Sequence, residues 1–138
     1  MRRALLFVAV VVSFAPAGCG DSGTSDEEQV RKVNDAYNEA LFAGRGAEAC
    51  SYATPAYRRQ IIRNSRAAGV RGRTCAKVVS NGVALVKQYG IGPPKVDDVA
   101  AEGDKATVTE TQQDGTKTEV YFERIGGRWK AAGNKNLK

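Results

Sequence analysis

The chain has no histidine among its 138 residues. This excludes the Ser-His-Asp and Cys-His nucleophile systems and every zinc site built on imidazole. There is no CxxC pair, no phosphate-binding glycine loop and no paired-carboxylate or metal-ligand constellation. No acidic residue occurs between Glu48 and Asp97. No apolar run approaches the length of about 20 residues needed to cross a bilayer as a helix. What is present is ordinary for a globular chain: 42% hydrophobic and 26% charged residues. That balance excludes disorder, a collagen repeat or a coiled coil for most of the length.

The N-terminus is the exception. Arg2 and Arg3 precede an apolar run, Ala4 to Phe14, followed by the small or turn-forming Ala15, Pro16, Ala17 and Gly18 and then Cys19. A charged start, a short apolar run and small residues together predict a removable export signal over 1–18. A buried core helix fits poorly, because Gly, Asp and Ser follow at once. Ala17-Gly18-Cys19 resembles the lipobox of bacterial lipoproteins, with Pro16 where that family usually has Leu. The resemblance implies that the Cys19 sulfur takes a diacylglycerol and that cleavage falls just before it; a plain secreted protein or an uncleaved anchor is the alternative. The paired arginines resemble a twin-arginine signal, but their flanks do not, and the general export route is preferred. Residues 19–25 are then a lipidated cysteine and a short polar tether that cannot pack. Losing Arg2 and Arg3 lowers the formal charge from +6 to +4. The remaining chain is the size of one domain able to bury a core without a metal.

Of three cysteines, Cys19, Cys50 and Cys75, lipidation of the first leaves an even pair in an oxidising compartment. That predicts a Cys50–Cys75 disulfide. Two buried free thiols are the alternative. A redox thiol is disfavoured by the lack of a CxxC and of a histidine partner.

Ser25-x-x-Glu28 is a capping box, followed by Val30, Val33, Tyr37, Ala40 and Leu41 at helical spacing, with Gly44 and Gly46 as the stop. After a short segment, Ala47 to Tyr52, Thr54-Pro55 opens a second helix to about Ala67. Thr74 caps a third, Cys75 to Gln88. Gly90, Gly92, Pro93 and Pro94 divide this half from the rest. The last third reads as strands with turns at Gly103-Asp104, 113–115 and Gly126-Gly127. Registers that keep apolar residues together pair Val99 with Val108, Ala101 with Ala106, Val108 with Val120, Ala106 with Phe122, Arg124 with Trp129 and Phe122 with Ala131. The expected class is α+β: three N-terminal helices covering one face of a four-stranded antiparallel meander.

That element order resembles the NTF2-like superfamily, whose curved sheet wraps a long first helix as a cone. The lipobox, the tether, the run Glu48-Ala49-Cys50-Ser51-Tyr52-Ala53-Thr54-Pro55-Ala56-Tyr57 and the later Thr74-Cys75-Ala76 look like small exported lipoproteins of this superfamily from high-GC Gram-positive bacteria. The resemblance covers 26–138 and implies an α+β cone, a shape that can leave a pocket at its open end. Enzymes of the superfamily place acids, tyrosines or histidines there; no such set matches residue by residue, so no catalytic residue is carried over.

Candidate binding features are of two kinds. Arg59, Arg63 and Arg66 share one helical face in a stretch rich in bases and without acids. They are either a solvated face or a surface for anionic lipid headgroups or wall polymers. Tyr37, Glu110, Phe122, Arg124 and Trp129 are candidate pocket residues, aromatic residues at such spacing being otherwise core. Glu110 and Arg124 stand on the apolar sheet face near strand ends; a partly exposed Glu110 and a narrow or filled cavity are expected.

The resulting expectation is a non-catalytic, lipid-anchored protein on the extracytoplasmic face of the cell membrane. It binds a small ligand or an envelope protein partner, with no cofactor, no metal and no nucleic acid. The alternatives are a pocket enzyme of the isomerase or hydrolase type using Glu110, and an accessory subunit of an envelope transporter or cell-wall complex.

Overall fold

A computed structural model describes residues 23–137. Four helices precede four strands: α1 (Asp26–Phe42), α2 (Gly46–Ser51), α3 (Pro55–Ala67), α4 (Cys75–Gln88), β1 (Lys95–Glu102), β2 (Lys105–Thr111), β3 (Lys117–Ile125) and β4 (Arg128–Leu137). The expected α+β architecture is present with one helix more than the sequence predicts. The sequence predicts a plain connecting segment over Ala47 to Tyr52, but Gly46–Ser51 closes a turn and a half of helix. With Ala49 and Cys50 buried, tertiary packing compensates a helix too short to stand alone.

The helix starts follow their side chains. Ser25 Oγ, Thr54 Oγ1 and Thr74 Oγ1 accept from the backbone N–H of Glu28, Tyr57 and Lys77 at 3.2, 3.2 and 3.3 Å. Each satisfies one of the free donors of a first turn. Asp26, Glu27 and Glu28 add negative charge at the positive end of α1.

The strands form one antiparallel sheet in the order β1-β2-β3-β4. Every expected register pairing occurs: Val99 with Val108, Ala101 with Ala106, Val108 with Val120, Ala106 with Phe122, Arg124 with Trp129 and Phe122 with Ala131. Two bulges lie beyond those pairings. Asp97 is extra in β1, and Ala132 is extra in β4, where Tyr121 pairs with Gly133. Both fall on edge strands, where an extra residue bends the strand and strengthens twist. The outer flank of β4 is partly covered. Thr54 N–H donates to the Ala131 carbonyl at 2.8 Å, and Ala131 N–H donates to the Tyr52 carbonyl at 2.7 Å.

The inner face of the sheet buries Ala106, Val108, Val120, Phe122, Trp129 and Ala131 against Val30, Tyr37 and Ala40 of α1 and Tyr57 of α3. The helices do not share this work equally. α1 and α3 lie on the sheet, whereas α4 packs mainly on α1, α2 and α3. The helical layer therefore meets the strands mainly through α1 and α3, with α4 behind them. The link is covalent: Cys50 of α2 and Cys75 at the start of α4 form a disulfide, with Cα atoms 6.1 Å apart.

Candidate functional site

Glu110 occupies the inner face of β2, opposite Val96 and Thr118, and is only 2% exposed. The expected partly exposed position is therefore wrong. The cause is α1, which lays Asn34 and Asn38, one turn apart, over the end of the strand. Their amide nitrogens donate to the same carboxylate oxygen, Oε1, at 2.6 and 2.7 Å. Two such bonds satisfy the buried Oε1 oxygen. Tyr37 and Tyr57 pack beside it, ring centroids 6.5 Å apart. Burial, and secondarily the neighbouring Tyr57, hold the Tyr37 hydroxyl well above its ordinary ionisation range; the Glu110 charge adds to this. Tyr57 is raised as well, mainly by burial.

The two asparagines escaped the reading of the sequence, although a signal existed. Asn34 lies within the stripe of Val30, Tyr37 and Leu41, where helical spacing calls for an apolar residue. A polar residue on a core stripe needs a buried partner, and Glu110 was the one acid on the apolar sheet face.

The other end of the inner face carries Arg124 and Trp129. The Arg124 guanidinium lies 4.5 Å from the Trp129 ring centroid and pairs with Asp26 in the first turn of α1 at 2.5 Å. Arg124 keeps access to water, as expected, and fastens the start of α1 to the sheet. Phe122 lies between these ends, fully enclosed in the core at 1% exposure. The five candidate pocket residues therefore do not line one cavity. Tyr37 and Glu110 are at one end, Arg124 and Trp129 are at the other, and Phe122 is packing. Their separation follows from the length of α1, which crosses the sheet and fills the space between them.

Open clefts occur elsewhere. One of about 420 Å³ lies between the end of α1, α3 and α4 and is mainly apolar, with Phe42, Ile61, Val70, Val83 and Val86 among its walls. A second, of about 510 Å³, lies between α1, the end of α2 and the start of β4, and includes Lys32, Tyr52, Arg128, Trp129 and Lys130. A third borders the disulfide and includes Arg58 and Arg73. Glu110 lines none of five well-formed clefts among the described residues, and their only acidic wall residue is Asp114, in the β2–β3 turn.

Arg59, Arg63 and Arg66 are exposed on the side of α3 away from Tyr57 and Ile61. Arg66 is held locally, its Nε donating to the Gly72 carbonyl at 3.1 Å. Among the described residues, none of the bases from Arg58 to Lys95 forms an ion pair. Nor do the described residues contain a group of three side chains fit to hold a metal, or a helix long and apolar enough to cross a membrane. Cys19, the expected lipidation site, lies outside the described residues.

This architecture is the NTF2-like fold. A SnoaL-like protein of unknown function from Burkholderia thailandensis superposes with a TM-score of 0.51 at 12% identity, over 79% of this chain and 94% of that one. An NTF2-like protein from Campylobacter jejuni, proposed as a transpeptidase, superposes with a TM-score of 0.50 at 13% identity, over 78% and 97%. At such identities the likeness extends to the fold alone. No family model and no curated protein matches the sequence.

Proposed function

We propose that the chain is a lipid-anchored, extracytoplasmic NTF2-like domain that binds a small ligand or an envelope partner and does not catalyse a reaction on it. One observation carries the reading. The single acid on the inner sheet face, Glu110, is engaged by Asn34 and Asn38, while the clefts of about 420 and 510 Å³ are walled by apolar, uncharged polar and basic groups. General acid–base work needs a titratable group within hydrogen-bond reach of substrate, and Glu110 lines none of the five well-formed clefts among the described residues. Anchoring rests on the pattern that ends in Gly18-Cys19, which would hold the domain close to the membrane by its six-residue tether.

The enzyme reading retains one observation in its favour, the burial of Glu110 beside two tyrosines. Native mass spectrometry of the protein extracted from membranes separates the two. A diacylated chain is expected, carrying a bound molecule that leaves with its mass unchanged, and Glu110→Gln is expected to carry the same molecule. Conversion of that molecule by the wild type and not by Glu110→Gln would assign the domain to the enzymes.

A further inference from the structure

The cleft beside Trp129 presents an imbalance that packing does not explain. Trp129 is 4% exposed, and its indole N–H has no hydrogen-bond partner among the described residues. A buried donor without an acceptor is costly, and each instance in a folded protein calls for a reason. The ring itself is well fixed, stacked under the Arg124 guanidinium and paired across the ladder with Arg124. The same residue forms part of the wall of a cleft of about 510 Å³ whose charged members are all cations: Lys32, Arg128 and Lys130.

These cations differ in availability. Lys130 Nζ donates to the Ser51 carbonyl and so is held at the rim. Lys32 pairs at 3.0 Å with Glu28, but both side chains are more than half exposed, and such a surface pair is readily exchanged. Arg128 forms no ion pair among the described residues. Val33 and Tyr52 supply apolar wall between the charged groups. Three cations, one unfilled N–H and an apolar wall are the complement of an anionic head on an apolar body.

We propose that this cleft binds a small organic anion, a phosphate or carboxylate group on an aromatic or aliphatic body. The charged head lies between Lys32, Arg128 and Lys130, and the body lies against Val33, Tyr52 and the Trp129 ring. A modest opening of the ring edge brings the indole N–H to the ligand as a donor. The site rests on the binding function proposed above and gives it a place and a ligand class.

Trp129 is the only tryptophan in the chain, so the ¹⁵N-labelled full chain has a single indole N–H signal, and it belongs to a residue of this cleft's wall. Titration with phenyl phosphate is expected to move that signal downfield and to saturate. The double variant Lys32→Gln/Arg128→Gln alters two exposed side chains and should weaken binding by about tenfold or more. Lys87→Gln, on the distant α4, should leave it unchanged. An indole signal that does not respond to phenyl phosphate overturns the site, as does a response equal in the double variant or reduced equally by Lys87→Gln. Equal binding of inorganic phosphate or of benzyl alcohol overturns the ligand class, since it removes the need for one half of the recognition. Failure here leaves the mass-spectrometric test of Glu110 and of the anchored form unaffected, so the two readings fall separately.

Discussion

Glu110 and its neighbours show how one buried charge organises a region. The Glu110 carboxyl has two amide donors and, among the described residues, no ion-pair partner, and it adds to the effect of burial on the hydroxyls of Tyr37 and Tyr57. Both hydroxyls are raised above their ordinary value of 10.0, Tyr37 strongly, with burial the leading cause in each. The consequence for stability has a definite sign. Below about pH 10 both tyrosines are protonated in the folded and the unfolded chain, and the pair adds no pH dependence. Above that, the unfolded chain releases protons that the folded chain retains, so stability falls as pH rises. Urea midpoints measured from pH 8 to 11 should decline over the upper part of the range, and Tyr37→Phe should flatten the decline. An unchanged slope in Tyr37→Phe would place the alkaline loss elsewhere.

At the scale of elements, the contact between α2 and α4 is the most tightly specified in the helical half. Gly46 opens α2, and a Cβ there would meet the Ala76 carbonyl oxygen at 2.0 Å and Ser80 Oγ at 2.7 Å. The main chain of α4 cannot yield as a flexible side chain would, so only glycine allows this approach. The disulfide then locks the same two helices across a sequence separation of 25. Closing a loop of that size restricts the unfolded chain by about 3.5 kcal/mol. Cys75→Ser is expected to cost about 2–5 kcal/mol, and Gly46→Ala about 1–3 kcal/mol through overpacking. Because both act on one contact, their sum should differ from the loss in the double variant by at least about 0.5 kcal/mol. Denaturant unfolding of the four proteins measures this; strict additivity would show that the disulfide and the glycine act independently.

For the whole molecule, charge and chain order decide how the domain is presented. The bases of α3 and α4 form no ion pairs among the described residues, and the outward face of α3 carries Arg59, Arg63 and Arg66. Were the proposed tether to hold the domain near a membrane, that face would suit anionic headgroups, each base adding about 1 kcal/mol when close to the surface. The proposed anchor has its own test. In cells, the wild type is expected in the membrane fraction with diacylglycerol on Cys19 at its new N-terminus. Cys19→Ala should lose that mass and either leave the membrane or remain uncleaved. A soluble, unmodified mature wild type, seen by intact-mass analysis, would remove lipid anchoring from the proposed function.

Local chemistry alone determined the helix caps, the hairpin turns, the strand registers and the disulfide pairing. Ser25, Thr54 and Thr74 act on donors three residues away. A one-residue slip in the meander would turn its apolar face outward. Cys50 and Cys75, the pair left once Cys19 is assigned to the expected lipid, form the predicted disulfide. Tertiary structure decided the rest. α2 is helical because its buried residues are held by α4 and the disulfide, a support that no six-residue stretch carries in itself. Glu110 is buried because Asn34 and Asn38, 76 and 72 residues away, arrive over its strand when α1 crosses the sheet. The candidate pocket residues are separated because that same helix fills the space between the two ends of the sheet. Spacing along a chain records which residues share a face; whether two faces enclose a cavity or fill it depends on the volume of what lies between them.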